Sequence, residues 1–212
     1  MAPGAPELVF AMCHEIGNVV AAIRLQAHLI DEELDAKALA LASVELDDLA
    51  ARSSALLALV RPVLEETKSI SLPMKGDAIV IALSRTLAEQ GGRGAKLRWD
   101  SESGLPEVLA DPEVIHFLLV AQVFCALEAV APGGSVRLCA TEEGAELLLA
   151  VEDDGDLDEE QIDWRGQSLR GRSLACAVAD HVLARQGGRF SLERRDGLTR
   201  AEFRLPVAGA RT

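Results

Sequence analysis

Two long amphipathic patterns at the start of the chain constrain its fold more than any other feature. Across residues 7–34, Val9, Met12, Ile16, Val19, Ile23, Ala27, Ile30 and Leu34 follow one another at steps of three and four. That spacing lays one apolar stripe along a helix. A second helical stretch, residues 37–67, carries Leu39, Leu46, Leu49, Leu56, Leu57, Val60 and Leu64, with Pro62 as a kink or stop near its end. The acidic residues Asp31, Glu32, Glu33 and Asp35 lie between the two, so a helical hairpin is expected. At 1.5 Å per residue each helix is roughly 40–45 Å long. Two helices cannot enclose a core alone, and each stripe needs a partner. A second copy would complete a four-helix bundle, so a homodimer is expected.

The pattern changes after residue 70. Ser71–Gly76, with Pro73 and Gly76, reads as a linker. A helix is predicted over Asp77–Gln90, ending at Gly91-Gly92, and a strand over Lys96–Ser101. Asp111-Pro112-Glu113 starts a helix: an N-cap carboxylate, a proline at the first position and an acid in the first turn. That helix runs to about Val130. Strands are predicted at Ser135–Ala140 and Glu146–Val151, then an acidic loop over Glu152–Glu160 and a helix over Leu174–Gln186. A closing hairpin pairs Arg189–Arg194 with Arg200–Leu205 around Asp196-Gly197. The fold class is α+β: a helical hairpin over residues 1–70 and an α/β sandwich over residues 77–212.

Charge and composition remove several functions. The chain has 34 acidic and 21 basic residues, a net charge of −13, which disfavours nucleic acid and an acidic membrane surface. Aromatic residues are 3%, too few for a base-stacking platform. Cys13, Cys125, Cys139 and Cys176 contain no C-x-x-C, so reduced thiols in the cytoplasm are expected. The apolar window Val114–Ala131 includes His116, Gln122 and Glu128 and suits a buried helix better than a membrane span. No signal peptide is recognised at Met1–Pro6.

The sharpest local feature is His14-Glu15-Ile16-Gly17-Asn18. His14 points away from the apolar stripe, and its helical neighbours Phe10, Gly17, Asn18 and Ala21 leave the imidazole accessible. Neutral imidazole is a nucleophile near pH 7, and the site suits a phosphoryl acceptor. Glu15 could hold the tautomer or take a proton, and Asn18 could orient phosphoryl oxygens or a water. A solvated surface histidine is the plain alternative. The zinc-protease motif H-E-x-x-H is broken by Asn18. His28 is a reserve nucleophile, and His116 and His181 are expected to be satisfied structural residues.

The segment from Met12 to Ile23 resembles the H-box of sensor histidine kinases, H-E-[IL]-x-[NT]-P-L-x-x-I, with Asn18 on the Asn/Thr position and Val19 replacing proline. Residues 1–70 then resemble the dimerisation and phosphoacceptor domain, and residues 77–207 the GHKL-type ATP-binding domain. The nucleotide motifs are eroded. Ala121 and Cys125 stand at the two N-box asparagine positions ahead of Ala126-Leu127-Glu128-Ala129. Neither offers an oxygen for Mg²⁺. Asp153 matches the adenine-contacting aspartate and Gly155 the first glycine of its box, but Leu157 replaces the second. The last glycine box reads Gly171-Arg172-Ser173-Leu174-Ala175-Cys176, with one of three glycines left. Asp156–Arg170 is short for an ATP lid and holds Asp156, Asp158, Glu159 and Glu160, which repel a triphosphate.

A kept phosphoacceptor beside three damaged nucleotide motifs resembles the dimeric histidine phosphotransferases of the ChpT and Bacillus sporulation types. The resemblance implies a phosphorelay enzyme in which His14 takes a phosphoryl group from one receiver-domain aspartate and gives it to another. A hybrid histidine kinase would stand upstream. No cofactor of its own is expected, and Asp153, Gly155 and Gly171 would be vestigial. Mg²⁺ would come with the receiver. Phe10, Ala21, Arg24 and Leu25 form the expected docking surface around His14. Two other readings remain open: a divergent ATP-dependent histidine kinase, and a regulator or phosphatase in which Asn18 positions water.

Overall fold

The computed structural model describes residues 3–30, 36–64, 72–88, 95–156 and 168–209. Helices α1 (Ala5–Ile30) and α2 (Ala36–Leu64) form the hairpin. They run antiparallel, which brings Gln26 Nε2 to 2.5 Å from Glu45 Oε2. Pro62 does not end α2. It falls in the last turn, where few intrahelical bonds remain to be lost.

The second part holds β1 (Leu72–Lys75), α3 (Gly76–Ala88), β2 (Lys96–Ser101), β3 (Glu107–Ala110), α4 (Pro112–Ala129), β4 (Ser135–Glu143), β5 (Glu146–Asp153), α5 (Gly171–Arg185), β6 (Arg189–Arg195) and β7 (Leu198–Pro206). The segment Ser71–Gly76, expected as a linker, is instead largely a strand. Leu72–Lys75 is a strand, paired antiparallel with Glu107–Ala110 from Leu72↔Ala110 to Lys75↔Glu107. Gly76 turns the chain into α3 where a Cβ would stand 2.6 Å from the Leu105 Cβ. Both strands have four residues and one holds Pro73; β3 alternates exposed and buried positions in the fold, but Val108, Leu109 and Ala110 are all apolar and hide this in the sequence. The expected stop at Gly91-Gly92 and most of the expected lid lie outside the described residues.

The main sheet has the order β2-β4-β5-β7-β6, with β2 parallel to β4 and the other pairs antiparallel. Asp111 starts α4 as the sequence predicts: its Oδ1 accepts the N–H groups of Glu113 and Val114 at 3.0 and 3.3 Å. One face of the sheet is apolar and carries α4; the other is crossed by ion pairs. There Glu152 is held by Arg137 and Arg200, and Glu202 by Arg200 and Arg204 at 2.7 and 3.0 Å. Burial alone would push the Glu202 carboxyl up, but the two arginines outweigh it and hold it low.

The apolar stripes of the hairpin meet a partner within the chain itself. Leu8 and Met12 of α1 and Ala55, Leu59 and Val63 of α2 are buried in one continuous core with Ile115, Leu118, Val182, Leu183 and Phe203. The hairpin therefore lies on α4 and α5, which lie on the sheet, giving three layers. From the sequence a second copy is expected to partner these stripes. The N-terminal part of α1 and the C-terminal part of α2 are instead covered in cis, while Val20, Leu39, Leu57 and Leu64 stay exposed. By length and composition both α1 and α4 could cross a bilayer. In this fold α4 is spent on the core, with residues 118–127 all buried.

A shared core predicts shared unfolding. Replacing Leu59, 1% exposed, with alanine should cost about 2–5 kcal/mol and still give one transition. Near- and far-ultraviolet circular dichroism would check this; two separate transitions would contradict it.

Candidate functional site

α1 is oriented by what it buries. Leu8, Ala11, Met12 and Val19 face inward. At 3.6 residues per turn, this directs His14, Gly17 and Asn18 outward, where all three are exposed. The imidazole Nδ1 lies 3.3 Å from Asn18 Nδ2, one turn on. The two ends of a carboxamide are near-equivalent in shape, so this contact serves either ring tautomer. With the amide oxygen toward the ring, Nδ1–H donates and Nε2 keeps a free lone pair facing solvent. With the amide nitrogen toward the ring, Nδ1 accepts and Nε2–H can donate.

The surroundings of His14 are bare. A Cβ at Gly17 would meet nothing within 4 Å, so its own chain does not require glycine there, although glycine costs about 1 kcal/mol in a helix. Phe10 and Leu25 are 75% and 62% exposed, and Ala21 and Arg24 are exposed beside them. The four residues expected to form a docking surface thus share the His14 side of α1. His28 is exposed as well, further along the helix.

Glu15 is engaged elsewhere. Its Oε1 accepts from Arg52 Nη2 of α2 at 2.5 Å, and Arg52 Nη1 binds Glu128 of α4. One guanidinium therefore ties the His14 helix, its hairpin partner and the α/β layer together. The sequence did not reveal Arg52, because only the register of the antiparallel hairpin sets it opposite Glu15. At the other end of α2, Arg185 Nη1 donates to the Val63 carbonyl at 3.2 Å.

Residues that the resemblance sets at nucleotide motifs come together. Ala121, Cys125 and Ala175 form one small buried cluster. Beside it lies a cleft lined by Glu15, Arg52, Leu56, Cys125, Gly171 and Leu174. Burial pushes the Cys125 thiol up to about 11, against the pull of Arg172, so it stays neutral at physiological pH. Asp153 is 3% exposed; its Oδ1 accepts the Gly155 N–H at 3.1 Å, and its Oδ2 accepts from Arg172 Nη2 at 2.9 Å. Burial raises the Asp153 carboxyl, and Arg172 opposes it. Gly171 has φ +50°, which glycine adopts without strain at the entry to α5. No group of three or more potential metal ligands occurs among the described residues.

The other histidines differ in part from expectation. Burial holds the half-buried His116 low. His181 Nε2 is buried and meets no hydrogen-bond partner among the described residues.

No protein-family model matches the chain. It is 27% identical over 201 residues to the sensor histidine kinase ZraS of Escherichia coli K12, a match covering 90% of this chain and 43% of ZraS. The chain thus spans less than half the length of that relative. Among solved structures, the histidine kinase AdeS of Acinetobacter baumannii superimposes with a TM-score of 0.62 at 14% identity, over 92% of this chain and 98% of that one. The histidine kinase ThkA, solved in complex with the response regulator protein TrrA, gives 0.59 at 18% identity over 92% and 60%. The chain has the fold of these histidine kinases and is similar in sequence to ZraS.

Arg52→Ala leaves two carboxylates without their shared cation. It should lower stability by about 1–3 kcal/mol in chemical denaturation. No loss in that variant would show that the bridge contributes nothing to joining the layers.

Proposed function

We propose that this chain is a histidine phosphotransferase, passing phosphoryl groups between receiver-domain aspartates through His14 without using ATP. It would act as a cytoplasmic homodimer. The observation that carries the reading is the contrast between an open imidazole and a closed interior. His14 stands exposed beside Asn18 in a bare, partly apolar surface, while Asp153 is already paired with Arg172 and Ala121, Cys125 and Ala175 are buried together.

The step follows from the Nδ1–H tautomer. The Nε2 lone pair attacks the phosphorus of a receiver aspartyl phosphate. An N–P bond forms, the P–O bond to the aspartate breaks, and its electron pair leaves on the carboxylate. With the Asn18 carboxamide turned so that its Oδ1 faces the ring, it accepts Nδ1–H throughout and no proton has to move. A second receiver aspartate then attacks phosphorus and the N–P bond breaks. Receiver-bound Mg²⁺ would neutralise the developing charge, since positioning and electrostatics govern such transfers. Exposed Phe10, Ala21 and Leu25 suit an apolar contact with the receiver, with Arg24 as a local charge partner. Exposed Val20, Leu39, Leu57 and Leu64 are the surface a second copy would cover. The complex recorded for ThkA supports a response-regulator partner.

The similarity to ZraS favours a second reading, a divergent kinase. The His14–Asn18 pair, able to position a water, favours a third, a receiver phosphatase. One experiment separates them: labelling with γ-labelled ATP and Mg²⁺, alone and with a kinase-charged receiver, for wild type and His14→Ala. The expected result is label only through the receiver and only with His14 present. Label from ATP alone identifies a kinase. Loss of receiver phosphate without label on this chain identifies a phosphatase, and label lost in His28→Ala but kept in His14→Ala moves the site. A solution mass of one chain at micromolar concentration overturns the dimer.

A further inference from the structure

Asp153 and Cys125 bring two hydrogen-bond acceptors to a single nitrogen. Arg172 Nη2 lies 2.9 Å from Asp153 Oδ2 and 3.0 Å from the Cys125 carbonyl oxygen. One planar –NH₂ group thus donates twice, once to a carboxylate at the end of β5 and once to the backbone of α4. The second carboxylate oxygen is fixed by the Gly155 N–H at 3.1 Å. The acceptors are therefore held in place by backbone, independently of the arginine. The neighbouring wall is made of small residues: Ala121, Cys125 and Ala175 are buried side by side. Arg172 reaches the acceptors from the first turn of α5.

We propose that this two-acceptor cradle is a binding site for a planar amidinium or guanidinium group, which Arg172 occupies as an internal ligand and so closes to ligands from solution. A buried carboxylate needs a cation or a proton, and a guanidinium matches it in both charge and plane. Removing the arginine side chain leaves the same acceptors around a space shaped for its head group. The site then takes a free guanidinium in its place. This goes beyond the phosphotransfer reading and depends only on Arg172, Asp153 and the Cys125 carbonyl.

The test uses the full chain and methylguanidinium as probe, by calorimetry and thermal unfolding at constant ionic strength. Arg172→Ala should unfold at a lower temperature than wild type and recover with methylguanidinium in a saturable way. It should bind the probe about tenfold or more tightly than wild type, the scale of one or two hydrogen bonds to a buried charge. Adding Asp153→Asn should abolish the gain. If Arg172→Ala does not fold by itself, it is refolded with and without the probe; recovery only with the probe supports the site. Equal recovery or none in both, binding equal to wild type, or a gain that survives Asp153→Asn overturns it. None of these outcomes depends on whether His14 accepts phosphate.

Discussion

Leu8, Met12, Leu59 and Val63 are buried against α4 and α5, and the rest of the molecule follows from that contact. It joins the hairpin and the α/β part in one core. It also fixes the rotation of α1, because a helix that buries Leu8, Met12 and Val19 must present the opposite side to solvent. His14, Gly17, Ala21 and Leu25 lie on that side. The exposure of the imidazole is thus a consequence of packing elsewhere on the same helix. Arg52 and Arg185 add polar ties toward the middle and at the C-terminal end of α2.

Electrostatics follow a consistent pattern in a chain with a net charge of −13. Acids drawn into the interior each meet an arginine: Glu15 meets Arg52, Asp153 meets Arg172, and Glu152 meets Arg137 and Arg200. Buried carboxylates without such partners would take up protons or destabilise the fold. The same pairing leaves the region around Asp153, Cys125 and Ala175 internally satisfied. Its acceptors are used by the chain's own side chains, and its small residues pack on one another.

Much of this was legible in the residues. The three-and-four spacing marked α1, Asp111-Pro112 marked the start of α4, and Asp196-Gly197 marked a hairpin whose turn does adopt positive φ at both residues. The His14–Asn18 contact follows from helical spacing alone. What escaped were features set by distant contacts. β1 and β3 have four residues each, too few for a polar–apolar pattern in the sequence, and they pair with each other. Part of the stripe read as a dimer surface is covered by α4 and α5, and periodicity shows that a face is buried without naming what buries it. Glu15, read beside His14 as its orienting group, turns toward Arg52, 37 residues away. Arg172 follows the one glycine left in a worn motif, and its bond to Asp153 appears only once β5 and α5 are placed together.

The central claim is that the His14 helix and the α/β layers form one body with a closed interior. Distance distributions between dyes on Leu25→Cys and Arg195→Cys, in a chain with the exposed Cys13 changed to serine and mixed with excess unlabelled chain so that a dimer carries one dye pair, test it most directly. The account predicts one narrow distribution, the same with and without Mg²⁺ and a non-hydrolysable ATP analogue. Two populations, or a shift when the nucleotide is added, would contradict it and restore a mobile, ATP-using kinase.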